Sequence, residues 1–400
     1  MTMIQQCTRC LYSASHPFGL AFDDEGVCTG CLTHREKFDL DWEDRFSILR
    51  KYVEVTTPSA PVSGYDCVVP VRGTPEYFYV LDVVRNRLGL NPLVVCYNSQ
   101  FNSSVGIRNL DLIRETFNVD LLHYTSSPTS YRKLIRESLV RLNSMRWPFI
   151  AGETQFPVQV AVEQRIPLII WPLHQPTEQV GMHSYTETPE MTRLGRHEFD
   201  LMGVEPKDLT NVETLANVLD VADLHYPEDR GLAAVGVVGI YLSNYIPWDS
   251  RSFSEEMITK FGAMAGTNPR TFDTYDRIDD MTYMTIHDVL KQAKHGYSRV
   301  TDNLCREIRF NRISKEDAVA IQNHYQAQYP EREIEIFLKW LGFEPKAFRW
   351  YLDHLPHSLT SQVNLPPLTE NQKQFISGFR SSVDVFENTE FTVYGKGLEL

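Results

Sequence analysis

Between residues 65 and 171, short apolar runs alternate with longer segments in which apolar residues return every three or four positions. The runs YDCVVPV (65–71), PLVVCY (92–97), VDLLHY (119–124), PFIAG (148–152) and PLIIW (167–171) predict strands. The segments between them predict helices over 75–88, 105–117, 129–145 and 157–164; in the first, Tyr77, Leu81, Val84 and Leu88 fall on one face. Strands joined through helices of this length predict an α/β fold, a parallel sheet with helices on both faces. Upstream, DLDWEDRFSILRKYV (39–53) predicts an amphipathic helix, and TTPSAPVSG (56–64) reads as a linker. Downstream the pattern turns helical: Ser314 and Asp317 form a capping arrangement before AVAIQNHY, and 332–343 and 345–355 carry helical periodicity.

This divides the chain into an N-terminal module and helix (1–55), a linker (56–64), an α/β domain (65–250), a helical region (251–355) and a polar extension (356–400) whose role the pattern does not reveal. Four hundred residues with 42% hydrophobic content can bury a sizeable core. The net charge of −13 opposes nonspecific attraction to a phosphate backbone, so no nucleic-acid partner is expected. MTMIQQCTRC lacks the charged and apolar regions of a signal peptide, and the apolar stretch GLAAVGVVGIYL (231–242) is too short to span a bilayer. A cytoplasmic protein without a membrane span is expected.

Four of the seven cysteines form two CxxC pairs, Cys7 and Cys10, then Cys28 and Cys31. Two such knuckles, separated by the hairpin-like HPFGLAFDDEGVC, suit a tetrahedral zinc ion. The alternatives are two disulfides or buried free thiols; an odd cysteine count in a cytoplasmic setting disfavours the disulfides. With all four positions supplied by protein, the zinc is structural. Cys67, Cys96 and Cys305 read as packing residues.

In open α/β sheets, ligands bind beyond the carboxyl ends of the strands, where the strand order reverses. A central first strand would gather the segments after the first, fourth and fifth predicted strands: 72–76, 152–155 and 172–179. Candidate ligand contacts are therefore Arg72, Gly73, Thr74, Glu76, Gly152, Glu153, Thr154, His174 and Gln175, with Asn98 and Asn102 reaching the same mouth from the second strand. His174 and His183 are either acid/base groups or loop histidines held by hydrogen bonds.

Taken together, CTRC … FDDEGVCTGC, WEDRF, LNPLVVCYNSQFN, VGIRNL, IPLIIW, YIPWDS and HGYSRVTDNLCREIRFNRISKEDA resemble the N-acetyl sugar amidotransferases over roughly residues 4 to 355. That family is similar to PP-loop ATP pyrophosphatases and serves lipopolysaccharide or surface-sugar biosynthesis. The resemblance implies a PP-loop-like domain and conversion of the acetamido group of a nucleotide N-acetyl sugar to an acetamidino group. It implies ATP with Mg2+, and ammonia from a partner glutaminase. It adds Trp248, Asp249, Arg299 and Asp302 to the candidate nucleotide or substrate contacts, and assigns no catalytic residue. An amide is a poor electrophile; adenylating its oxygen makes a leaving group that ammonia can displace. The family's loop, Ser-Gly-Gly-x-Asp-Ser, is matched here only by Gly73: Arg72, Thr74, Pro75, Glu76 and Tyr77 occupy the other positions.

Thr74 adds a Cβ, Pro75 removes an N–H and Tyr77 crowds the first turn, so the phosphate cradle is weakened while Pro75 still starts a helix. Arg72 offers a charge-assisted phosphate contact. Two readings follow: an amidotransferase with an altered cradle, or a catalytically silent relative that binds a nucleotide sugar or supports an active partner. A tRNA thiolase on the same fold is disfavoured by the acidic charge and the altered loop. No glutaminase nucleophile stands in a strand-to-helix elbow, so ammonia would come from a separate subunit.

Overall fold

A computed structural model describes residues 4–57, 61–187, 189–210, 215–357 and 366–379. Five parallel strands, β1 (Cys67–Pro70), β2 (Pro92–Tyr97), β3 (Asp120–Tyr124), β4 (Leu168–Trp171) and β5 (Val238–Tyr241), lie in the order β3-β2-β1-β4-β5. The expected α/β class is therefore observed. Every residue of β1, β2 and β4 is buried, as in a parallel sheet covered on both faces, whereas β3 at the edge alternates.

Side chains leave each strand in alternate directions and build two cores. Val68, Val95, Tyr97, Ile169 and Trp171 face one, with α5 (Pro128–Leu142), α6 (Trp147–Gln164) and helices from 281–353. Cys67, Val69, Val94, Cys96, Leu168 and Ile170 face the other, against α2 (Trp42–Thr56), α3 (Glu76–Leu81, continuing to Arg87 as a π-helix) and α4 (Ser104–Phe117). A third core joins the four clustered cysteines to Val300, Leu304 and Ile308, so the N-terminal module packs on the helical region. Among the described residues no helix is long and apolar enough to cross a membrane.

Two expected elements differ. The run 148–152 is not a strand but the first turns of α6, with Pro148 in its first turn. Because α6 is buried nearly all round, its apolar run has no polar stripe to mark it as helical. The fifth strand comes instead from VGIY, behind the helix Asp229–Val235 and Gly236, in a stretch read above only for its apolar character. Part of the linker, residues 58–60, and most of the extension lie outside the described residues; Glu370–Ser377 is a helix, and Phe379 packs on Phe272 and Tyr275.

β1 turns into α3 through 71–75, and two glycines set what lies under that turn. A Cβ on Gly73 would stand 2.2 Å from the Gly106 carbonyl oxygen, and one on Gly106 would stand 2.5 Å from the Asp279 Cβ. Asn109 fastens the contact, donating from Nδ2 to the carbonyls of Gly73 (3.0 Å) and Met264 (2.9 Å). Gly73→Ala is expected to destabilise the protein by about 1–3 kcal/mol through overpacking against backbone, measurable by chemical denaturation.

Candidate functional site

β1 and β4 are neighbours whose chain connections leave in opposite directions, so the order reverses between them. A cavity of about 840 Å³ opens there. It is lined by the loop after β1, the middle of α6, the segment after β4 and residues between 273 and 310. Although the chain carries a net charge of −13, arginine and lysine are as numerous as carboxylates in the lining.

Arg72 is buried at one edge and nearly saturated. Its Nε and Nη2 donate to the two oxygens of Asp279, both at 3.0 Å, its Nη1 donates to Glu153 at 3.2 Å, and Nη2 lies 2.7 Å from Asp280. The Phe149 ring lies 4.8 Å from the guanidinium. Burial opposes the charge, but these carboxylates hold the Arg72 pKa well above its ordinary value. A guanidinium has five N–H groups, so Arg72 keeps little for a phosphate.

Thr74, Glu76, Glu153, Thr154, His174, Gln175, Trp248, Arg299 and Asp302 also line the cavity. Burial pushes the Glu76 carboxyl up to about 7. Burial acts the same way on Glu153, yet Arg277, Arg72 and Arg146 hold its carboxyl below the ordinary value. In α6, Pro157 has no N–H to give the Glu153 carbonyl one turn earlier. Burial pulls His174 down to about 4, and Thr177 Oγ1 sits 2.8 Å from its Nδ1, so the ring is neutral near pH 7. Asp302 accepts from Tyr12 (2.8 Å), from Gln179 (3.0 Å) and from Lys291. Arg299 donates to the Asp276 carbonyl, with that carboxylate at 3.4 Å.

The other candidates lie elsewhere. Gly73 is closed by Gly106, and Gly152 fits under the Tyr97 ring, where a Cβ would approach to 2.1 Å. Asn98 and Asn102 line a narrow crevice with Asp279 and Phe149 instead of the large cavity, and Asn98 is held by Thr125. Asp249 caps the helix Ser250–Phe261 and pairs with Arg312.

Sequence reasoning missed several cavity groups. Arg146 precedes α6; Arg196 lies 3.9 Å over the Trp171 ring and pairs with Asp200 at 2.6 Å; Arg277, His287 and Lys291 come from 277–291. Burial, with Arg146 and Lys291, holds His287 well below its usual pKa. RWP at 146–148 was the one local signal, a basic residue next to a helix start.

The sulfur atoms of Cys7, Cys10, Cys28 and Cys31 lie within 4.8 Å of one another and all four residues are buried. Cys10 and Cys28 Sγ are 3.7 Å apart, matching a tetrahedron with metal–sulfur bonds of about 2.3 Å. Backbone N–H groups of Arg9, Cys10 and Cys28 point at Cys7 Sγ from 3.3–3.4 Å. These donors fit a thiolate set that can hold a metal such as zinc. The module reaches the cavity through α1 (Thr29–Glu36), whose Thr29 Oγ1 donates to the Val180 carbonyl at 2.7 Å, at the end of α7 (Gln175–Val180). Arg309, in the gap left by Gly30, donates to the carbonyls of Glu178 (3.0 Å) and Gln179 (2.9 Å).

Residues 255–392 match the family model for the C-terminal domain of WbpG-like lipopolysaccharide biosynthesis proteins. The match supports a lipopolysaccharide or sugar biosynthesis family, and it reaches into the segment read above as lying beyond the resemblance. Asp273, Asp276, Arg277, His287, Lys291 and Arg299, which form one wall of the cavity, fall inside it. The chain is also 22% identical over 119 residues, 29% of its length, to an uncharacterized protein, MJ1599, of Methanocaldococcus jannaschii, and spans 41% of that protein.

Two outcomes check this description. Cys28→Ser should lower bound zinc from about one equivalent to nearly none and lower the melting temperature, read by metal analysis and calorimetry. Glu76→Gln tests the buried carboxyl. With its pKa raised from 4.5 to about 7, its protonated form favours the folded state, a contribution complete below about pH 4.5 and lost as pH rises through 7. The variant should therefore gain stability over the parent at pH 8 and not at pH 4, in paired thermal melts.

Proposed function

We propose that this protein binds a nucleotide-activated N-acetyl sugar in the β1/β4 cavity and acts on its acetamido group as an amidotransferase of surface-polysaccharide biosynthesis. The observation that carries the reading is the cavity itself: a space of about 840 Å³ at the switch point, lined by arginines and aromatic rings. Its diphosphate would meet basic side chains and its sugar and base would meet Trp171, Tyr241 and Tyr97. The WbpG-like match over one wall supports the sugar-biosynthetic context. Replacing the acetamido oxygen by nitrogen needs an activated phosphoryl or nucleotidyl donor that carries the oxygen away and a proton acceptor for the incoming ammonia; Glu76, titrating near 7, suits the second role. A separate glutaminase would supply the ammonia.

The residues after β1 do not fit the usual cradle for the pyrophosphate of ATP: the retained glycine faces α4 and Arg72 is held by carboxylates. This observation favours a second reading, a silent relative that binds the nucleotide sugar and supports an active partner.

Incubation with ATP, Mg2+, an ammonia source and a panel of nucleotide N-acetyl sugars separates the readings. The enzyme reading expects an amidino product by mass spectrometry that appears only with the nucleotide and the ammonia source present. Sugar-nucleotide binding without product, with the glutaminase partner present, supports the silent relative. Absence of binding to every member of the panel defeats both.

A further inference from the structure

We propose that the anionic part of the ligand is held by Arg146 and Arg277, at the junction of α6 with the 276–280 turn, and not by the loop after β1. This inference rests on the nucleotide-sugar reading above and assigns its phosphate subsite.

Arg146 is the decisive residue. It lines the cavity, is only 6% exposed, and no carboxylate pairs with it among the described residues. Its Nε has no hydrogen-bond partner, and its Nη1 reaches only the Met284 sulfur, a weak acceptor, at 2.9 Å. The Phe149 ring lies 5.5 Å from the guanidinium. Burial and the neighbouring Arg277 draw its pKa down to about 10 against the more distant carboxylates of Asp280 and Glu153, which still leaves it charged near neutrality. A buried cation without a carboxylate in direct contact is costly in a folded protein, and an anion entering the cavity removes much of that cost.

Arg277 is the second donor. Its Nη1 makes no hydrogen bond, its nearest carboxylate oxygens stand 3.6 Å away on Glu153 and 3.9 Å away on Asp276, and it lines the same cavity. Its backbone is left-handed, at φ 55°, which is uncommon for a residue with a long side chain. Arg72, between the same carboxylates, has its donors taken. Arg146 and Arg277, each with spare N–H groups and adjacent across this junction, thus offer forked donors to a phosphate or diphosphate.

Calorimetric titration of the full-length protein with inorganic pyrophosphate and with uridine diphosphate N-acetylglucosamine tests the assignment. Arg146→Met and Arg277→Met should each weaken both ligands about tenfold or more, and the surface variant Arg114→Met should bind as the parent does. Arg146→Lys keeps the charge without the fork and should retain part of the affinity. Without ligand, Arg146→Met should melt higher than the parent, because an unpaired buried charge is gone; a merely structural arginine would give the opposite shift. Parent-like binding of the sugar nucleotide by both methionine variants overturns the subsite and leaves the proposed function standing. Failure of the parent to bind the sugar nucleotide or any other member of the panel overturns both.

Discussion

The forked ion pair between Arg72 and Asp279 holds together parts of the chain that are 207 residues apart in sequence. One partner leaves the central strand and the other lies in the Ile278–Asp280 turn before the helix Met281–His295, so the pair fixes the cavity's two walls relative to each other. It forms because Gly73 and Gly106 let three backbone segments stack where side chains would keep them apart. Ser103 completes the junction, donating from N to the Asp279 carbonyl at 2.8 Å and from Oγ to that of Ile278 at 2.7 Å. Removing one member of such a buried pair leaves an uncompensated charge, at a penalty on the order of 3–5 kcal/mol. Arg277 and Arg146 take up their positions around this fixed point.

A second brace enters from the opposite side. The cysteine cluster orients α1, α1 lies on α7, and Arg309 ties both to the helix Arg299–Arg309. Lys37, just past α1, adds a buried ion pair to Glu178 at 2.7 Å and a hydrogen bond to the Trp248 carbonyl at 2.8 Å. The four-cysteine module therefore sets the position of the segment after β4. That segment supplies His174, Glu178 and Gln179 to the cavity.

Three of the four legible strands, β1, β2 and β4, stood out because a doubly covered parallel strand is a short apolar run, and β3 at the edge kept enough of one to be read. The fifth was not, since Gly236 divides GLAAVGVVGIYL into a helix and a strand with no change of polarity. The start of α6 misled for the converse reason: burial on every side erases the helical stripe. The loops after β1 and β4 were readable as cavity walls from topology alone. Which arginines remain available was not, because that depends on carboxylates such as Asp279 and Asp280, brought to Arg72 only by the tertiary fold. The CxxC pairs, whose chemistry is local, could be read directly.

The closure of Gly73 by α4 bears on how this loop could change over descent. A loop whose floor is open can gain and lose phosphate-binding residues one substitution at a time. Here the floor is the backbone of another helix, so placing serine and glycine at 72 and 74 would alter the rim and leave the obstruction. Removing Arg72 would also strand Asp279 and Asp280 without their counter-charge. A serine- and glycine-rich loop here would thus require coordinated changes in the loop, in α4 and in the 278–280 turn, with less stable intermediates between. Arg72 and the backbone stack beneath Gly73 are thus locked to each other, and neither can change at small cost while the other stays.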